Sequence, residues 1–138
     1  MAIRQGLTTS FKQQILLGQH NLETNTLKIA LYTALATLDE TTTVYSTTNE
    51  ITGTGYSAGG KTLTGVSVST LGLIAYVNFD DVEWDPASFT ARGALIYNSS
   101  VGNKSIAVLD FGSDKRTTTK FTIQFPPDTA SSAVIRIT

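Results

Sequence analysis

His20 is the only histidine in the chain, and cysteine is absent. A serine triad or a zinc site would therefore have to be built on His20. Its neighbours Glu23 and Asn25 do not give a recognised zinc-ligand spacing. Serines are plentiful, but no Gly-x-Ser-x-Gly elbow occurs. His20 is read as a surface or helix-end residue. Gly53-Thr54-Gly55 and Gly59-Gly60 raise the idea of a phosphate loop, and Gly60-Lys61-Thr62 matches the last three letters of one. Such a loop must open a helix, whereas the residues after Thr62 read as strand.

Asp80, Asp81, Glu83 and Asp85 form the densest acidic group. Strand alternation puts Asp81, Glu83 and Asp85 on one side and Val82 and Trp84 on the other. Three carboxylates on one face can hold a hard cation such as Ca²⁺. They equally suit a solvated strand face whose charge blocks wrong pairing, and that plainer reading is preferred. Paired carboxylates can also run glycoside hydrolysis, which needs a sugar cleft. Arg92 interrupts an apolar strand and should lie outward, pair with an acid, or meet a neighbouring subunit. Asn98-Ser99-Ser100 has the letters of a glycosylation acceptor and is read as a turn. Trp84, Phe79, Phe89, Phe111, Phe121 and Phe125 fall mostly at inward positions and read as core. No catalytic, cofactor-binding or metal residue is assigned. The expectation is a protein that is not an enzyme and uses no cofactor.

The elements that position these residues follow from composition and period. The chain has 138 residues, 41% hydrophobic and only 15% charged, with net charge −1. Soluble domains carry about 25% charged residues; here threonine, roughly one residue in six, supplies the polarity. Threonine is β-branched and suits a pleated, half-buried surface. A hydroxyl-rich, charge-poor surface is also cheap to desolvate against another protein. No basic run exceeds Lys115-Arg116, so nucleic-acid binding is not expected. No run of 18 apolar residues offers a membrane span. The first residues lack a signal-peptide layout. Absence of cysteine suits assembly in a reducing cytoplasm.

One short helix is predicted, capped by Ser10 with Gln13, carrying Phe11, Ile15, Leu16 and Leu17, and stopped by Gly18. Its apolar stripe must dock, on the domain's own sheet or on a neighbouring subunit. Strands are predicted over 27–32, 61–70, 74–80, 89–97, 105–111, 120–125 and 133–138, with an acidic corner at 81–86. Gly59-Gly60 suits a hairpin turn, Leu71-Gly72 a second, and 112–118 a polar turn; Pro126-Pro127-Asp128 breaks the chain. Residues 34–57 are irregular, which marks a contact-making loop. The sum is a single all-β domain over 1–138, an antiparallel, jelly-roll-like β-sandwich of about seven or eight strands, with residues 1–9 as an N-terminal arm.

Several stretches resemble a family of short virion structural proteins of tailed phages, including phages of cyanobacteria and other aquatic bacteria. They are Phe11-Lys12 with Leu17-Gly18-Gln19-His20, Leu27-Lys28-Ile29-Ala30-Leu31-Tyr32-Thr33, Gly53-Thr54-Gly55-Tyr56-Ser57-Ala58-Gly59-Gly60, Thr90-Ala91-Arg92-Gly93-Ala94-Leu95-Ile96-Tyr97-Asn98, Ala107-Val108-Leu109-Asp110-Phe111-Gly112 and Ile135-Arg136-Ile137. The resemblance implies a capsid decoration or cement protein, placed on the outer surface of the head. Its partners would be the major capsid protein and copies of itself, as a trimer. The arm 1–9 and residues 34–57 would lie on neighbours. A tail, neck or baseplate component is the structural alternative. A carbohydrate-binding module using Tyr45, Tyr56 or Tyr76 as a stacking platform is the other.

Overall fold

The computed structural model describes residues 2–125 and 135–137. Its centre is strand β2 (Leu27–Tyr32), hydrogen-bonded to the longer β7 (Phe89–Asn98) and on its other edge to the two-residue β3 (Lys61–Thr62). β7 pairs with β8 (Lys104–Thr117), and β8 with β1 (Gly6–Leu7). These make one antiparallel five-stranded sheet, ordered β1-β8-β7-β2-β3. The opposing layer is split. β4 (Ser67–Leu71), β5 (Ile74–Asn78) and β10 (Ile135–Ile137) form a three-stranded sheet, while β6 (Val82–Trp84) pairs with β9 (Phe121–Ile123). The fold is thus all-β and sandwich-like, with one α-helix among the described residues, α1 (Thr9–Leu16), and a 3-10 turn at Ser99–Val101.

Alternation explains the core. Leu27, Ile29 and Leu31 share one face of β2, as expected, and meet Ala94 and Ile96 of β7, Ile106 and Leu109 of β8, and Trp84, Phe121 and Val77 of the second layer. The opposite face carries Ala30, Tyr32, Leu95, Tyr97 and Val108, and it is buried too. Its cover is the irregular stretch, which supplies Ala36 and Leu38, together with Ile3. A sheet apolar on both faces needs two covers. Residues 36–45 and the described part of the predicted arm provide the second, while Ile51 and Tyr56, further along the same stretch, return to the main core. Ile3 bridges Leu38, and Gly6–Leu7 pairs with β8. Ala2 to Thr9 is therefore tied into its own domain and does not extend as an arm.

Other boundaries moved for local reasons. The helix cap is Thr8, not Ser10: the Thr8 hydroxyl accepts the Phe11 N–H at 3.3 Å, and the Ser105 hydroxyl donates to it at 3.0 Å. Gly18 stops the helix as predicted, with the Gln19 N–H returning to the Gln14 carbonyl and the Gly18 N–H to the Ile15 carbonyl. The predicted strand 61–70 is broken at Gly65, whose φ is +62° and where a Cβ would stand 2.3 Å from the Asp80 carboxyl group. The Gly59-Gly60 turn forms, closed by the Gly60 N–H on the Ser57 carbonyl, but it joins no hairpin; β3 pairs back with β2. The predicted polar turn 112–118 is mostly strand. β8 runs on to Thr117, and a bulge sets the step Ala91 to Gly93 on β7 against Lys115 to Asp110 on β8. The chain break at Pro126-Pro127-Asp128 lies outside the described residues, as do Met1, Ala133, Val134 and Thr138.

Candidate functional site

His20 is at the helix end, as read, but it is not on the surface: it is 6% exposed. Its Nε2 lies 2.9 Å from Gln14 Oε1 and its Nδ1 3.1 Å from Asn98 Nδ2, with Phe11 edge-on to the ring at 5.1 Å. Neither nitrogen faces a serine hydroxyl or a carboxylate, so the triad reading has no geometry here. Burial, and next the charge of Lys104, push its pKa below 6.5. Asn98 is fully buried and holds Asn25 as well as His20. The Asn98-Ser99-Ser100 acceptor pattern is therefore closed to modification in the folded chain.

Taken with Gly55, residues 55–62 carry the full letter spacing of a phosphate loop, more than residues 60–62 alone suggest. The fold gives that spacing the wrong context. Lys61–Thr62 is a strand and no helix follows. The Lys61 ammonium donates to the Glu83 carbonyl and lies 5.8 Å from the centre of the Trp84 ring. The Gly59 N–H, which would face a phosphate, donates at 2.8 Å to the Glu50 carboxylate. An anion is thus already present, and it belongs to the chain.

Glu50 organises a second polar cluster. It accepts from the Tyr45 hydroxyl at 2.6 Å and from the Tyr56 hydroxyl at 2.5 Å. The Tyr56 oxygen in turn accepts the Leu31 N–H, the Tyr97 hydroxyl donates to the Gly59 carbonyl, and the Tyr32 hydroxyl to the Ser46 carbonyl. Tyr45 stacks on Tyr97 at 4.6 Å. Burial holds Tyr32, Tyr45 and Tyr56 in the neutral form and pushes Tyr97 up to about 12. Donors and acceptors are paired within the cluster, which fastens residues 45–60 to the sheet. Tyr45 and Tyr56, two of the three rings proposed as a sugar platform, are spent in it. Tyr76 sits half-buried on β5.

The acidic corner alternates as expected: Val82 and Trp84 are buried, while Asp81, Glu83 and Asp85 are exposed. The carboxylates do not converge. Asp81 accepts the Phe125 N–H, Glu83 lies 3.7 Å from the Lys120 ammonium, and Asp80 is at Thr64. Among the described residues no three His, Cys, Asp or Glu side chains are placed to hold a metal ion. Arg92 pairs with Asp110 across the β8 bulge. The aromatic residues read as core are core: Phe79, Trp84, Phe89 and Phe121 are buried, and Phe111 and Phe125 pack against them.

The surface holds a different kind of feature. Leu73 is 97% exposed, Leu16 87%, and Leu17, Leu71 and Ile137 are more than half exposed. α1 docks through Phe11 on its own core and leaves Leu16 and Leu17 outside. Val68 and Ile137 border a cleft of about 380 Å³ between α1 and the three-stranded sheet. A second cleft, about 490 Å³, is lined by Phe111, Phe121 and Phe125. Leu71 and Leu73 were missed as surface residues. The signal was present: Leu-Gly-Leu stands at a hairpin tip where Asn, Asp or Ser usually stands.

The described residues define an all-β, sandwich-like domain with apolar side chains displayed at a helix end and a hairpin tip. No family model matches the chain, and neither the curated proteins nor the solved structures compared with it contain a match.

Proposed function

We propose that this protein is a structural component of a bacteriophage virion, a decoration or cement protein that binds the assembled head shell. The observation that carries the reading is the likeness of six stretches, spread in order along the chain, to short tailed-phage structural proteins. The side-chain chemistry is in keeping with it. His20, Glu50 and the clustered tyrosines act within the fold, fastening loops to a sheet. The exposed leucines are the complementary feature, since apolar groups displayed on a rigid domain mark places another protein covers. A protein that binds the assembled shell and not its free subunit stabilises the shell by mass action.

Cryo-electron microscopy of the intact particle tests the reading. Density for this domain over the whole head surface supports it. A single ring at the neck or tail assigns the alternative structural role, and absence from the particle overturns both. Particles lacking the protein should keep their shell geometry and lose resistance to heat and osmotic shock.

A further inference from the structure

His20 lies where three elements meet, and backbone donors fix how its ring must be protonated. The Ser100 N–H donates to Asn98 Oδ1 at 3.0 Å, so the other end of that amide, Nδ2, faces His20. The Asn21 N–H donates to Asn25 Oδ1 at 2.9 Å, and the same oxygen accepts from Asn98 Nδ2 at 3.0 Å. Asn98 cannot turn over without losing both bonds. His20 Nδ1 must therefore accept from Asn98, and Nε2–H must donate to Gln14 Oε1. A proton added at Nδ1 would set an N–H against an N–H₂ group at 3.1 Å, inside a site that is 6% exposed.

The charges around the ring offer the imidazolium little help. Lys104 of β8 donates its ammonium to Gln19 Oε1 at 3.0 Å, and Arg136 of β10 borders the same cleft. Lys12 is on α1, and Glu23, the acid on this loop, accepts the Val68 N–H of β4.

We propose that His20 is a proton-operated latch: protonation at Nδ1 breaks the Gln14–His20–Asn98–Asn25 chain and frees residues 14–21 from the end of β7, up to Leu22, which stays buried in the core. The N-terminal half of α1 stays in place, because Phe11, although it touches the His20 ring, is buried in the main core, and the Thr8 cap holds the first turn. Release would open the cleft between α1 and the three-stranded sheet, beside Leu16 and Leu17. The device is independent of the virion reading.

The test uses the full chain. The His20 ring is titrated by NMR while amide hydrogen exchange is followed from pH 7.5 to pH 5. Corrected for intrinsic exchange chemistry, protection of residues 14–21 should fall by about tenfold or more, with the same midpoint as the ring, while β2 and β7 stay unchanged. In His20→Gln, folded by circular dichroism, that pH dependence should be absent. If this variant does not fold, the shared midpoint in the natural chain decides. A ring that titrates with no loss of protection, a ring still neutral at pH 5, or the same loss in His20→Gln would overturn the proposal.

Discussion

Glu50 and Tyr56 are joined by a 2.5 Å hydrogen bond in which the phenol donates to the carboxylate, while the same phenol oxygen accepts the Leu31 N–H of the central strand. A loop carboxylate thereby reaches the backbone of β2 through one ring.

Tyr56→Phe keeps the ring packed between Trp84 and Phe89 but leaves the Leu31 N–H without that acceptor. An orphaned buried donor costs about 1–3 kcal/mol. Glu50→Gln should cost a similar amount, because an amide cannot accept from Tyr45, Tyr56 and Gly59 together. Both are read from denaturant unfolding. Stability unchanged in both variants would mean that the cluster fastens nothing.

Gly60 passes directly over β2. Its φ is +77°, and a Cβ there would stand 1.7 Å from the Ile29 carbonyl oxygen. Gly60→Ala should lose at least about 1–3 kcal/mol from backbone strain alone, and more from the collision. Gly72→Ala, with a similar φ and open space around it, should lose only the strain. Comparing the two melting temperatures separates collision from conformation.

Stability should fall in two steps as pH is lowered. His20 is held below 6.5 in the folded chain, so the unfolded chain takes up that proton first. Its contribution is complete above about pH 6.5 and is lost as pH falls toward the lower folded value. Asp110 is held below 3.8 by the Gly112 N–H and by Arg92, so its contribution is lost only below that. Urea midpoints across pH should show both arms, with His20→Gln flattening the upper and Asp110→Asn the lower.

Leu16 and Phe11 lie on one helix and should behave oppositely. Phe11→Ala empties a buried site and should cost about 3–5 kcal/mol. Leu16→Ser with Leu17→Ser should change stability by less than about 1 kcal/mol in total. If the protein decorates a shell, that double variant should bind depleted particles more weakly while folding normally. Undiminished binding would remove α1 from the contact surface.

Much of this was legible along the chain. Leu27, Ile29 and Leu31 sort to one face because side chains alternate at every step of a strand. Trp84 and Val82 turn inward beside outward Glu83 for the same reason, and Gly18 ends the helix wherever the helix lies. What period two could not show is whether the second face of a strand meets water or more protein. Ala30, Tyr32, Leu95 and Tyr97 are buried because residues 36–46 fold over them, through contacts and bonds between residues far apart in sequence. His20 shows the same limit: a polar residue after a helix stop is expected at the surface, and only the return of Asn98, 78 residues later, buries it. The residues by themselves determined an all-β chain, its strand faces and its helix stop, because those depend on neighbours one to four positions away. The tertiary structure alone decided which polar groups are spent inside and which leucines remain outside, because burial is set by segments that meet only when the chain closes on itself.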